Sequence, residues 1–402
     1  MLKDERILYM KINKTWKFSA LLFLISQNIS LFGSSIVGYA VIWHITLETS
    51  SGFWTMMATI FSNLPQIIIS LWGGALADRF NRKYMIMMAD GFIALATLGL
   101  AISYWTGFQD KILLLIVLAI RSAGAGIQSP AVNAIYPQIV PKENLTKIQG
   151  INQTINAVCL LLAPAIGGVL LGSIGLVWAF MVDVVTAVIA ITIMSIIKVE
   201  RQNVTVNTNS MISDIRAGIV YVLEHSELKK LIVFYAVAFI LLTPAMVLSP
   251  LMVERTFGNE VWRLTANEII WTIGSLVGGV FIAFRKQIKN KVFAIAVCFV
   301  AFGVTFGFMS IATNFVTYLI LILISGFFMP ILTTAQTVYV QEITEPNVLG
   351  RVFSIIQIAS TSALPIAILF LGPLADIISV QSMLFVSSIL FVICGALYGR
   401  LR

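Results

Sequence analysis

The sequence predicts an all-α integral membrane protein with twelve transmembrane helices in two pseudo-symmetric six-helix halves. Three observations carry that prediction. The 402 residues are 59% hydrophobic and only 11% charged, with a mean hydropathy of +0.95, so charges are too few to coat a water-soluble globule and lipid must supply much of the solvent. Apolar runs long enough to cross a bilayer, ~20 residues each, recur twelve times with short connections. A segment at the end of the fourth run, Ala131 to Lys147, aligns with Ala335 to Arg351 at an offset of 204 residues.

The first six runs lie near 17–45, 53–76, 84–105, 112–136, 147–172 and 175–197, and the second six near 228–254, 265–284, 291–312, 315–340, 351–372 and 380–399. The expected organisation is a first half over 1–197, a linker over 198–227 and a second half over 228–402. The charged stretch Lys3 to Lys17 precedes an apolar run that is longer than a signal-peptide core and lacks an A-x-A site, so it reads as a retained first span. The linker opens with a polar run, Gln202 to Asn209. It continues with Ile212, Ile215, Ile219 and Val222 at helical spacing among Asp214, Arg216 and Glu224, the pattern of a short helix on the inner membrane surface.

The net charge of +8 is a matter of placement. With the N-terminus inside, the predicted cytoplasmic segments hold 22 of the 26 Lys and Arg and the outer loops only Lys111, Arg255 and Arg263. That bias places both termini in the cytoplasm of a multi-pass plasma-membrane protein and argues against a nucleic-acid partner. Cys159, Cys298 and Cys394 sit inside apolar runs, which fits packing rather than a disulfide framework or a metal site. No G-x-x-x-x-G-K-[ST] run is present, so no nucleotide-hydrolysing module is encoded in this stretch. No cofactor is expected, and no nucleophile–base constellation points to an enzyme.

In the repeat, Gln138 matches Glu342, Ile139 matches Ile343, Leu145 matches Leu349 and Lys147 matches Arg351. Duplicated halves recur in secondary transporters, which place the substrate between them near mid-membrane. Between spans two and three the chain reads Gly73-Gly74-Ala75-Leu76-Ala77-Asp78-Arg79-Phe80-Asn81-Arg82-Lys83. This resembles the signature loop of the major facilitator superfamily, with Asn81 in place of a second glycine; Asn tolerates a left-handed backbone, so the turn survives.

The resemblance implies a conformational latch made by Gly73, Gly74, Asp78, Arg79, Arg82 and Lys83. The glycines allow close helix approach, and Asp78 accepts from the N-terminus of span eleven, worth ~0.3–1 kcal/mol or somewhat more when partly buried. The second half keeps Gly278-Gly279 and a basic run but no acid matching Asp78, so the expected latch is one-sided. A second set resembles the drug:proton antiporter branch that includes macrolide-efflux proteins: Arg121-Ser122-Ala123-Gly124-Ala125-Gly126, Ser129-Pro130-Ala131, Ile139 to Leu145, Leu349-Gly350-Arg351-Val352-Phe353 and Gly372-Pro373-Leu374-Ala375-Asp376. The likeness covers essentially the whole chain.

Inside the predicted membrane zone three ionisable groups stand out. Arg121 falls near mid-depth of span four, where an arginine is costly unless paired or hydrated, and the resembling exporters implicate the matching arginine in proton coupling. Asp183 falls near mid-depth of span six; burial favours its neutral form and a nearby arginine its charged form, so its proton occupancy follows its surroundings. The alternative for Asp183 is a buried acid bonded to Thr186 or another helix. Asp90 is the third coupling candidate, close enough to the inner end of span three to reach the surface. Glu254, Glu268 and His44 lie at outer span ends, where hydration accounts for them; the alternative for Glu254 or Glu268 is the proton's outer entry.

Two polar stripes are candidate cavity linings: Gln27, Ser30 and Ser34 in span one, and Gln149, Asn152, Gln153 and Asn156 in span five. Gln336 and Gln357 are second-half candidates. Hydrogen bonding between helices explains such residues equally well.

The expected activity is export of a small amphiphilic compound, macrolide-like by the resemblance, with protons as coupling ion and the bilayer as solvent. One charge moved across 100 mV is worth ~2.3 kcal/mol, enough for roughly a 50-fold gradient. A partner ATPase or other subunit remains an alternative energy source. The rivals are siderophore export or lysophospholipid flipping by the same architecture, and a non-transporting membrane sensor or scaffold.

Overall fold

The computed structural model describes residues 2–197, 199, 219–285, 288–345 and 348–400, and the side chains of these except 2–15, 74, 75, 77–79, 354 and 361. Thirteen long helices are named here in chain order: α1 Leu2–Thr49, α2 Gly52–Arg79, α3 Arg82–Trp105, α4 Lys111–Ile139, α5 Leu145–Ser173, α6 Leu176–Ile196, α7 Ser226–Met246, α8 Ser249–Phe257, α9 Val261–Phe284, α10 Lys291–Ser310, α11 Phe315–Ile343, α12 Leu349–Leu374 and α13 Val380–Arg400. A short 3₁₀ turn, Lys142–Asn144, precedes α5, and the described residues contain no strand.

Among the described residues twelve stretches are long and apolar enough to cross a membrane, with α7 and α8 forming one span between them. Each falls on one of the twelve predicted runs. The N-terminal charged stretch is not a separate tail, since α1 runs unbroken from Leu2. Residues 219–224 of the predicted surface helix are helical; the rest of that prediction, including Ile212 and Ile215, lies outside the described residues.

Local chemistry sets the helix ends. Asp110, Asn290 and Asn314 accept from backbone N–H groups two or three residues on, at 2.7, 2.9 and 2.8 Å, which satisfies donors that the first turn leaves free. Gly107, Gly175 and Gly258 take positive φ values of 90°, 94° and 117°, a region that disfavours side chains. The expectation of a left-handed Asn81 is corrected: its φ is −69° and its side chain caps α3 by accepting from Lys83 N–H at 3.0 Å. The loop thus trades glycine's backbone freedom for a cap.

Contacts divide the chain into two units, Met1–His44 with Met57–Val206, and Ile45–Met56 with Asn207–Arg402. In the first unit Phe23 packs edge-on to Tyr136 with ring centroids 5.0 Å apart, and Tyr104 lies edge-on to Phe180 at 5.8 Å. The second is centred on an aromatic stack of Phe299, Phe302, Phe306 and Phe391, all fully buried. Outward faces carry large apolar side chains such as Met88 and Phe284, 73% and 85% exposed, which only lipid can cover.

The duplication reaches into packing. A Cβ on Gly73 would lie 2.6 Å from Gly126 O and 3.0 Å from Pro130 Cγ, and one on Gly278 would lie 2.1 Å from Phe327 O and 2.9 Å from Pro330 Cγ. In each unit the second span therefore crosses the fourth at backbone contact, beside a proline, through a glycine near its end.

The strap Ile45–Met56 is folded into the second unit. Asp376 accepts from Gly52 N–H at 2.7 Å, Phe53 N–H at 3.0 Å and the Ser51 hydroxyl at 2.9 Å, with Arg255 Nη2 at 3.2 Å. It thereby caps the N-terminus of α2. Partial burial works to raise the Asp376 carboxyl, but those N–H, hydroxyl and guanidinium donors hold it below the usual aspartate range. Ser50 Oγ donates to Glu254 at 2.7 Å, so that acid is engaged rather than merely hydrated.

Candidate functional site: a polar cavity around a buried ion pair

Within the first unit a cavity of about 380 Å³ opens among α1, α2, α4 and α5. Six sequence candidates line it: Gln27, Ser30 and Ser34 from α1, Arg121 from α4, and Asn152 and Asn156 from α5. Helical spacing explains the α1 group, since positions three and four apart share a face.

Arg121 and Asp183 form a buried ion pair, Nη1 to Oδ2, and are 8% and 1% exposed. Arg121 Nη1 also donates to Thr97 Oγ1, and Nη2 to the Ser34 carbonyl at 3.4 Å. The second Asp183 oxygen accepts from Ser34 Oγ at 3.1 Å. Thr186 Oγ1 bonds the Asp183 backbone carbonyl at 2.9 Å, not its carboxylate. A short run of charge and hydroxyl therefore leads from the cavity wall into α3 and α6.

Asp90 does not reach the surface. It is 3% exposed, and its Oδ1 accepts from Ser30 Oγ at 2.6 Å and from Gln128 Nε2 at 2.8 Å. Both donors line the cavity, so Asp90 sits one hydrogen bond behind its wall. The helix packs α3 face inward here, with Ile86, Ala89, Ile93 and Ala94 buried around it.

Other candidates are placed elsewhere. The lining does not include Gln149 or Gln153, and Gln153 is exposed. Gln336 and Gln357 belong to the second unit; Gln336 is buried with Nε2 unpaired, and Gln357 is exposed. Of the loop residues, Arg82 Nη1 donates to Ala134 O at 2.8 Å, and Lys83 Nζ to Ser195 O and Ile197 O at 2.7 and 2.8 Å. Lys83 thus ties down the carbonyl end of α6. Gly73 is at the α2–α4 crossing, while the side chains of Asp78 and Arg79, and the surroundings of Gly74, lie outside the described residues.

Sequence reasoning missed most of what α2 and α4 contribute: Ser62, Gln66, Ser122, Gln128, Ser129 and Asn133. Ser122 Oγ accepts from the Gln66 backbone N–H at 2.9 Å. Pro65 stands beside it inside α2 and has no N–H of its own to give to the helical ladder. The signal available was a recurrence of Ser, Gln and Asn on one face of α4 downstream of Arg121.

Twelve spans, a glycine-mediated crossing repeated in each unit and a mid-span polar cavity define a membrane transporter of the major facilitator type. A sequence model described as transmembrane secretion effector matches residues 17–402, and the chain belongs to that family. It is 27% identical over 386 residues to a macrolide efflux protein A of Streptococcus pyogenes, covering 95% of each chain. It is 26% identical to an enterobactin exporter of Salmonella choleraesuis over 45% of this chain and 43% of that one. Among solved structures it resembles a bacterial homologue of the iron transporter ferroportin, with a TM-score of 0.73, 16% identity and coverage of 95% and 98%. It also resembles the nucleoside transporter NupG, with a TM-score of 0.71, 12% identity and coverage of 94% and 98%. Family and fold are those of membrane transporters, not enzymes.

Proposed function

We propose that this protein exports a small amphiphilic compound, macrolide-like in character, across the plasma membrane by proton antiport and alternating access, with both termini in the cytoplasm. The observation that carries the reading is the Arg121–Asp183 pair buried at the edge of a polar cavity. A buried pair is a poor source of stability, because desolvation offsets its attraction, and ionisable groups inside a membrane mark ion or substrate paths. Protonation of Asp183 or Asp90 would release Arg121 or Ser30 and Gln128 towards the cavity, which ties proton occupancy to the groups a ligand meets. The end-to-end likeness to a macrolide efflux protein supports the substrate class, and the excess of Lys and Arg in alternate connections supports the orientation. The Asp78 loop is assigned as the latch of the outward-open state.

Proton-driven export of a macrolide into everted vesicles tests the reading. Asp78→Asn and Arg121→Ala are each expected to abolish it; undiminished transport in both removes the assignment. A second reading, siderophore export, draws on the partial likeness to an enterobactin exporter. Growth inhibition by macrolides set against siderophore release, with and without the gene in a pump-deficient host, separates the two.

A further inference from the structure

Span seven is broken within its apolar run. α7 ends at Met246 and α8 starts at Ser249, and the break is written in two prolines, Pro244 and Pro250, that have no N–H to give. Val247 N–H still reaches Thr243 O at 2.8 Å, and Met252 N–H reaches Leu248 O at 2.9 Å. Pro250 stands four residues after Met246, so the Met246 carbonyl loses the bond a continuous helix would give it. The negative end of α7 therefore terminates inside the span. Broken spans of this kind commonly present carbonyls to cations in transporters.

The second span of this unit, α9, brings an acid to the same place. Glu268, about 10 Å along α9 from its start, lines a pocket of about 60 Å³ with Ala245, Met246, Ser249, Trp271 and Ile322. No ion pair involves Glu268 among the described residues. Among the described residues its carboxylate accepts one hydrogen bond, from Asn267 Nδ2 at 3.5 Å. Asn267 is committed elsewhere, donating to Ser249 Oγ at 2.9 Å and accepting from Tyr318 OH at 3.1 Å. Hydration at an outer span end does not describe this residue.

Carboxylate, helix C-terminus and the Met246 carbonyl all favour a positive charge, and among the described residues no cation pairs with them. Ala245, Trp271 and Ile322 add apolar and aromatic surface beside the polar Ser249 and Asn267, which suits the carbons of an organic cation. It does not suit the all-oxygen shell of a hard metal ion, and the described residues hold no cluster of three His, Cys, Asp or Glu. We propose that the Glu268 pocket at the break in span seven is a subsite for the protonated alkylamine of the exported compound. The pocket holds an ammonium head and leaves the ligand body outside. The identity of that body rests on the efflux reading; the subsite does not.

Purified full-length protein is heated with trimethylammonium chloride, with tert-butanol as the uncharged isostere and sodium chloride as the metal control. The melting temperature is expected to rise with trimethylammonium alone, and Glu268→Gln to remove the rise. Pro250→Ala, which returns an N–H to the Met246 carbonyl, is expected to reduce it, and serves if Glu268→Gln does not fold. In vesicles, erythromycin, which bears a dimethylamino group, is expected to compete for export about tenfold better than a neutral derivative in which one N-methyl is replaced by acetyl, with Glu268→Gln bringing the two level. The proposal is overturned by an equal rise in wild type and Glu268→Gln, by an equal rise with tert-butanol, or by a sodium-dependent rise that needs Glu268. A wild type that shows the trimethylammonium shift yet exports neither macrolide overturns the efflux reading and leaves the subsite standing.

Discussion

Replacing Arg121 by Ala leaves Asp183, 1% exposed, as a charge with no cation beside it. Truncating one partner of a buried pair costs about 3–5 kcal/mol, because the survivor keeps its desolvation penalty and loses its attraction. Asp183 retains one donor, Ser34 Oγ at 3.1 Å, which places the expected loss near the lower end, about 3 kcal/mol. Removing both charges together, as Arg121→Met with Asp183→Leu, takes away penalty and attraction alike and is expected to fall within about 1 kcal/mol of wild type. Equilibrium unfolding in mild detergent compares wild type, Arg121→Ala and the double variant, and vesicle export is measured on the same preparations. The double variant is expected to recover stability without recovering proton-driven export. A loss below about 1 kcal/mol for Arg121→Ala would show that water reaches the pair and would refute the electrostatic argument. Recovery of export in the double variant would make the pair a brace and end its role in coupling.

Three further outcomes follow from the packing and the caps. Gly278→Ala should destabilise by about 1–3 kcal/mol, because its Cβ would sit 2.1 Å from Phe327 O and two backbones must part; the neighbouring Gly279→Ala meets nothing within 4 Å and should be silent in the same melting assay. Asn81→Ala should cost about 1 kcal/mol, and Asn81→Gly only a few tenths. A gain in stability with glycine would contradict the capping geometry. Asp376 has a lowered folded-state pKa, so its contribution is present above the unfolded value and is lost as pH falls through the folded one. Acidification below the ordinary aspartate range should therefore loosen the Ile45–Met56 strap, read as lost protection of the Gly52 and Phe53 amides against hydrogen exchange relative to the unstructured rate at each pH, and Asp376→Asn should remove that pH dependence.

Some of the site was legible because a local rule governs it. Arg121 and Asp183 stand out in any apolar run, since hydrocarbon penalises charge regardless of the neighbours, and Ser30 and Ser34 follow from helical spacing. Which partner each would meet was not legible. Asp90 was expected within reach of the surface from its distance to the helix end, yet the direction of its side chain, not its depth, decides its burial against Ser30 and Gln128. Glu268 was taken for a hydrated end residue for the same reason. Its meaning came from Met246 and Ser249, some twenty residues earlier in the chain, which only tertiary packing brings beside it.

Sequence by itself determined that the chain lives in a bilayer and that it crosses twelve times, and a short repeat pointed to two related halves. Those properties come from composition, run length and repetition, which act along the chain. Tertiary structure decided that Arg121 pairs with Asp183, that Asn81 is a cap, that the strap 45–56 is held by Asp376 in the second unit, and which polar stripe faces a cavity. Each of these depends on how one helix is rotated against another. Rotation is set by the summed fit of glycine crossings and buried side chains, such as Gly73 on Gly126 and Gly278 on Phe327, and no single stretch of sequence contains that sum.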